Sequence, residues 1–223
     1  MPAELHDLVM VALGLVAVFA VVIIVTLRLA TRAQTRNLGS VTAVRVWSEL
    51  GHGDVPDPGL LYGTWQTFAH EVVLAVKDAD DRVIGRVTQR GLGGLDTVIV
   101  IGPVTFRVVP QRHWREAADL VTNDPDTGRA RVVCSFAKGA HRLATYTCED
   151  GRMLSIPSGW DWPWRRRVSN ILCLEKTIGS IWTPGSPWLN QGRALVLPVE
   201  IPPAVRLFVL WKGSGLNTRA NTR

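Results

Sequence analysis

Three closely spaced aspartates, Asp78, Asp80 and Asp81, are the first residues of this 223-residue chain that could do chemistry. Hard cations such as calcium need several oxygens, and a calcium loop counted from Asp78 requires glycine at its sixth position and a bidentate glutamate at its twelfth. Those positions hold Val83 and Gln89, so the aspartates read better as a hairpin turn. Gly91, Gly93 and Gly94 invite comparison with phosphate-cradling loops. However, Asp96 stands where the dinucleotide fingerprint needs its third glycine, and no lysine follows. They read as flexible connection. His6, His52, His70, His113 and His141 lack the close pairing of a helical zinc site. Cys134, Cys148 and Cys173 are odd in number and show no paired spacing of the metal or redox kind. They read as reduced, mostly buried small hydrophobes, in keeping with a cytosolic side. No nucleophile elbow accompanies the serines, and no neighbouring histidine is available to a cysteine as base. The sequence therefore nominates no catalytic residue, metal ligand or cofactor, and the expectation leans away from an enzyme.

The sharpest local feature is the segment holding Trp160, Trp162 and Trp164, followed directly by Arg165, Arg166 and Arg167. Tryptophan rings partition to the headgroup region of a bilayer, and arginines are attracted to anionic lipid. The segment is the candidate for membrane contact. Alternate spacing on a strand also places like residues on one face, so tryptophans covering a core and arginines facing solvent is the structural alternative. Tryptophan and arginine also anchor protein interfaces, which makes a membrane-protein complex a further candidate partner.

A membrane is implied independently by Leu8 to Leu27, a run without one ionisable side chain. Twenty helical residues at about 1.5 Å rise each match the roughly 30 Å hydrocarbon core. Glu4 and Asp7 precede the run and Arg28, Arg32 and Arg36 follow it, the reverse of a basic signal-peptide n-region. Arginines flanking a transmembrane end stay on the cytoplasmic side, which predicts a single-pass anchor with its N-terminus outside and the remaining chain in the cytosol. The first 27 residues hold two of the 19 acids and none of the 25 cations, which leaves the rest of the chain at +8. Such a domain favours anionic neighbours, and for a tethered protein the nearest is the inner leaflet, where each nearby basic side chain contributes about 1 kcal/mol. The arginines are scattered and lack a recognisable nucleic-acid motif, which disfavours nucleic acid as the partner.

Stepping outward to the elements, residues 1–30 form the anchor with its flank and 31–63 a linker and loop region, rich in proline and glycine from Gly51 to Gly63. Residues 64–212 form one β-rich domain, and 213–223 a polar basic tail. Glu71 to Lys77 and Arg82 to Gln89 predict one hairpin, and Thr97 to Ile101 with Val104 to Val109 predict another. Arg129 to Phe136, Leu143 to Cys148, Arg152 to Ile156, Asn170 to Glu175 and Gly179 to Trp182 extend the series of strands. Pro110 to Val121 opens with proline and spaces Trp114, Ala117, Ala118 and Val121 as one helical face, which predicts an inserted amphipathic helix. Pro203 to Trp211 is apolar nearly all round and too short to cross a bilayer, which predicts a buried helix or terminal strand.

Residues 72–88, 143–157 and 171–184 each repeat an apolar strand, a polar turn and an apolar strand, and the proline-bounded apolar segment closes the series. This pattern resembles the tubby C-terminal-like superfamily, which includes LURP-one-related proteins and phospholipid scramblases. The resemblance implies a closed antiparallel barrel around a hydrophobic C-terminal helix. It covers residues 64–212 and rests on pattern rather than on a diagnostic motif. The N-terminal anchor, the expected helix at Pro110 to Val121 and the lack of a cysteine cluster for palmitoylation depart from it, which weighs against scramblase activity. The fold class expected is mainly β, an antiparallel, barrel-like domain behind one transmembrane helix. The function expected is a noncatalytic, membrane-tethered binding or scaffold protein. The alternative is a membrane-bound enzyme whose site is assembled from distant residues.

Overall fold

The computed structural model describes residues 19, 21–22, 41–68, 71–90, 96–111, 116–139, 143–157, 168–184 and 192–217. The chain divides into two compact units, Met1–Val41 and Thr42–Arg223. In the first, residues 19, 21 and 22 are helical and exposed. The remainder of the expected anchor, with Arg28, Arg32 and Arg36, lies outside the described residues. Among the described residues, no helix is long and apolar enough to cross a membrane.

The second unit is a closed barrel of twelve strands in which every neighbouring pair is antiparallel. In chain order the strands are β1 (Leu60–Phe68), β2 (Glu71–Lys77), β3 (Val83–Arg90), β4 (Asp96–Ile101), β5 (Val104–Pro110) and β6 (Ala117–Asn123). They continue with β7 (Ala130–Lys138), β8 (Leu143–Cys148), β9 (Met153–Pro157), β10 (Val168–Cys173), β11 (Lys176–Trp182) and β12 (Gly192–Val196). Each strand pairs with the next, and β12 returns to β1 with Leu61 opposite Leu195. An even number of strands lets this up-and-down order close with an antiparallel seam, which leaves no edge exposed.

Period-two patterning decides which side chains face the lumen. Leu74 of β2 lies opposite Val87 of β3, Val87 opposite Ile99 of β4, and all three are fully buried. Eight strands already leave an interior that side chains just fill, so twelve leave room for more. The helix α2 (Pro203–Asn217) fills it. Its residues Ala204 to Trp211 are all buried, and a helix walled by strands on every side must be apolar all round. Contacts run around the wall: Phe208 meets Tyr146 of β8 edge-on at 6.0 Å, and the Arg206 Nη2 donates to the Gly59 carbonyl at 2.6 Å. A Cβ built on Gly85 of β3 would come within 2.7 Å of Leu207, so glycine there lets helix and wall approach.

Outside the wall, a short helix α1 (Ala43–Ser48) lies against β1, with Ala43 and Val46 buried. The hydroxyl of Thr42 caps it by accepting from the Arg45 N–H. Asp81 ties α1 to the barrel, because its Oδ1 accepts from the Ala43 N–H at 2.8 Å and also from the Tyr62 hydroxyl. Burial first, and then this hydrogen bond to a carboxylate, push the Tyr62 phenol well up.

Several expectations are corrected. Pro110 to Val121 is not a helix: Pro110 ends β5, and Ala117 to Val121 lie on β6, which is hydrogen-bonded between β5 and β7. Ala118 and Leu120 point into the lumen and are fully buried, while Ala117 and Val121 face the other way. Two-sided pairing outweighs the helical spacing of small residues. The stretch 31–63 contains α1 and the start of β1, and α2 runs to Asn217, past the expected domain limit at 212. The strand expected through Glu175 stops at Cys173, because Leu174 and Glu175 both take positive φ (49° and 66°) and make a two-residue turn.

Candidate functional site

Alternating strand direction sorts the connections between strands to two rims. The connections after odd-numbered strands meet at one rim, and those after even-numbered strands, with the β12–α2 link, meet at the other. On the second rim, 78–82, 124–129, 149–152, 174–175 and 197–202 carry nine acids against Arg82, Arg129 and Arg152, and no tryptophan. The links attached to the first rim, 69–70, 91–95, 111–116, 139–142, 158–167 and 183–191, hold in their sequence six arginines, Glu116, Asp161 and five of the nine tryptophans; all of these arginines and tryptophans lie outside the described residues. Trp160, Trp162, Trp164, Arg165, Arg166 and Arg167 belong to the link from β9 to β10 and lie outside the described residues. What the described strands fix is the rim to which that link is attached.

The acidic rim is built of self-satisfied turns. The Asp78 Oδ1 accepts from the backbone N–H of Asp80 at 3.0 Å and of Arg82 at 2.9 Å, so the sequence's hairpin reading of these aspartates holds. Hydrogen bonds from the Thr127 and Asp126 N–H groups hold the Asp124 carboxyl below its usual range. Arg152 does the same for Asp150 through its side chain and backbone. Arg131 clamps Glu149 with two bonds of 2.6 and 2.7 Å. Among the described residues, no group of three or more His, Cys, Asp or Glu could hold a metal ion. His52 stacks on Trp47 at 4.4 Å, and the other four histidines lie outside the described residues.

Beneath the basic rim, cations are buried. α2 enters from the acidic rim, where Arg206 reaches Gly59, and leads toward the opposite rim. There the Lys212 Nζ sits 4.7 Å from the Phe136 ring centroid and 5.4 Å from that of Trp211. Burial lowers the Lys212 ammonium to about 8. The Arg193 of β12 donates through Nη1 to the Gly192 carbonyl at 2.7 Å and to the Thr183 hydroxyl at 3.2 Å. Burial lowers it to about 10. Neither cation was singled out by sequence reasoning, since only the closed wall tells a buried basic residue from a surface one.

Cys134 and Cys148 are buried and Cys173 is half-buried. Cys134 of β7 and Cys148 of β8 stand directly opposite one another, a pairing that their spacing in the chain does not reveal. Among the described residues, the arrangement contains no nucleophile with a base and an orienting partner. Comparison with known proteins finds no matching family, no similar curated protein and no similar solved structure.

Proposed function

We propose that this chain is a noncatalytic, membrane-tethered binding or scaffold protein whose barrel turns its basic, tryptophan-bearing rim toward anionic lipid. The support for the reading is the acidic rim of the described turns together with the arginines and tryptophans that the sequence places in the links attached to the other rim. An acidic rim is repelled by an anionic leaflet and a basic rim is attracted, so a barrel with this dipole is oriented by the surface. Trp160, Trp162 and Trp164, with Arg165, Arg166 and Arg167, supply the contact, the rings entering the headgroup region and the arginines meeting phosphate. Leu8 to Leu27 is the tether, with Arg28, Arg32 and Arg36 holding the barrel on the cytoplasmic side of the cell membrane. The thirteen residues between Arg28 and Thr42 extend up to about 45 Å, enough to serve a barrel in either orientation. The helix-filled closed barrel supports membership of the tubby-like superfamily. An integral membrane-protein complex that presents acidic side chains would be recognised by the same rim.

The test uses residues 42–223 on vesicles with and without anionic lipid. Replacing Arg165, Arg166 and Arg167 by glutamine removes about 3 kcal/mol of attraction, so binding to anionic vesicles should weaken about a hundredfold and depend less on salt. Equal binding by variant and parent would remove the assignment. A C-terminal reporter active only outside the cytosol would overturn the orientation.

A further inference from the structure

Backbone hydrogen bonds fix how Cys134 and Cys148 face each other. The Glu149 N–H donates to the Val133 carbonyl and the Gly139 N–H to the Leu143 carbonyl, which makes the odd-numbered positions of β7 the hydrogen-bonded ones. The Cys148 N–H turns away to the Arg152 carbonyl of the next hairpin. Cys134 and Cys148 are therefore a non-hydrogen-bonded pair, the register at which antiparallel side chains stand closest, with Cα atoms about 4.5 Å apart. That spacing lies at the short end of the range a disulfide spans. Both side chains point into the lumen near the acidic rim, and the Cys134 thiol donates to the Ser135 carbonyl at 3.9 Å.

We propose that Cys134 and Cys148 form a reversible cross-strand disulfide when a peroxide reaches the barrel, and that this pair is an oxidative modification site. Cys148 is the thiol that reacts first. It keeps slight exposure where Cys134 has none, and the thiol of Cys134 beside it favours its thiolate, while the same pairing and then burial raise the pKa of Cys134. The Cys148 thiolate attacks one peroxide oxygen and the O–O bond breaks, giving a sulfenic acid and a hydroxide that takes up a proton. The Cys134 sulfur then attacks the Cys148 sulfur, and the sulfenic oxygen leaves as water with the Cys134 proton. Two thiols have lost two hydrogens and two electrons, and one peroxide has become two waters. A bond across directly opposed strands is strained, and strained disulfides are the readily reduced ones. Cys173 stands opposite Leu154 and has no cysteine partner across the ladder.

Full-length protein in detergent is treated with hydrogen peroxide, denatured, alkylated and cut with trypsin. Peptides 132–138 and 143–152 should be recovered joined and lighter by two hydrogens, peptide 168–176 should be alkylated at Cys173, and dithiothreitol should separate the pair. The Cys173→Ala variant should behave identically. In Cys134→Ala, dimedone should trap the sulfenic acid at Cys148. Recovery of Cys134 and Cys148 fully alkylated, a link from either to Cys173, or sulfinic acid at Cys148 without a link in the parent protein would each overturn the proposal. The parent and Cys173→Ala decide the matter even if Cys134→Ala does not fold.

Discussion

Replacing Lys212 by methionine should stabilise the barrel at neutral pH and lose most of that advantage in alkali. Methionine keeps an unbranched chain of similar length and removes the ammonium, its charge together with its donors. Burial takes the ammonium from its ordinary 10.5 to about 8. At about 1.4 kcal/mol per unit, carrying that charge costs the folded state about 3 kcal/mol. The folded pKa lies below the unfolded one, so the unfolded chain holds more protons between pH 8 and 10.5, and stability must rise with pH across that window. The penalty is full below pH 8. It falls from about 3 kcal/mol at pH 7 to about 1.5 kcal/mol at pH 9.5. The contacts of Nζ with the Phe136 and Trp211 rings offset about 0.5–2 kcal/mol of the gain when the lysine is removed. The difference between the two pH values is therefore the cleaner quantity. Urea unfolding of residues 42–223, followed by circular dichroism at pH 7 and pH 9.5, should show the variant's advantage shrinking by about 1.5–2 kcal/mol. An advantage independent of pH, or a variant less stable at both values, would refute a strained buried ammonium.

Leu207, Phe208 and Leu210 are fully buried in α2, and each change to alanine should cost about 2–5 kcal/mol in the same unfolding assay, where near-neutral values would contradict the helix-filled lumen. The Tyr146 hydroxyl is buried without a hydrogen-bond partner, so Tyr146→Phe should leave stability unchanged or raise it by about 1 kcal/mol, and a loss of that size would reveal a partner. Leu174→Asn with Glu175→Gly supplies the residues a two-residue turn of positive φ prefers and should raise the urea midpoint, by about 1 kcal/mol in all, without changing the transition's slope.

The hairpins β2–β3 and β4–β5 and the strands from β7 to β11 were legible because each alternates apolar and polar residues and is bounded by a polar or glycine turn. β1 escaped because its start lies among glycines and prolines, and Gly63 within it looks like a loop residue. In the structure Gly63 is demanded by packing, since a Cβ there would lie 2.6 Å from the Ala75 carbonyl oxygen. β12 escaped for a different reason: Gly192 and Arg193 open a five-residue strand, and Arg193 is buried with its guanidinium donating to Gly192 and Thr183. β6 was mistaken because Ala117, Ala118 and Val121 fit a helical face as well as a strand, and only the neighbours β5 and β7 decide. Pro203 to Trp211 was ambiguous in shape but not in fate, since a segment apolar on all sides must be enclosed whichever structure it adopts.

The candidate site was hidden for a reason that lies in the topology itself. Read along the chain, acidic turns and basic connections alternate: Asp78, Asp80 and Asp81 precede Arg112 and Arg115, Asp124 and Asp126 precede Arg142, and Glu149 and Asp150 precede Arg165, Arg166 and Arg167. Any window wide enough to include two connections averages the charges away, and the chain's formal +6 looks like scattered arginine. An up-and-down barrel attaches alternate links to opposite rims, so links that alternate in sign along the sequence are sorted by the rim to which they are attached. The Trp160 to Arg167 segment could be picked out alone because its residues are contiguous. Arg112, Arg115 and Arg142 belong to the same set of links, which becomes apparent only once the strands on either side of each are paired in order.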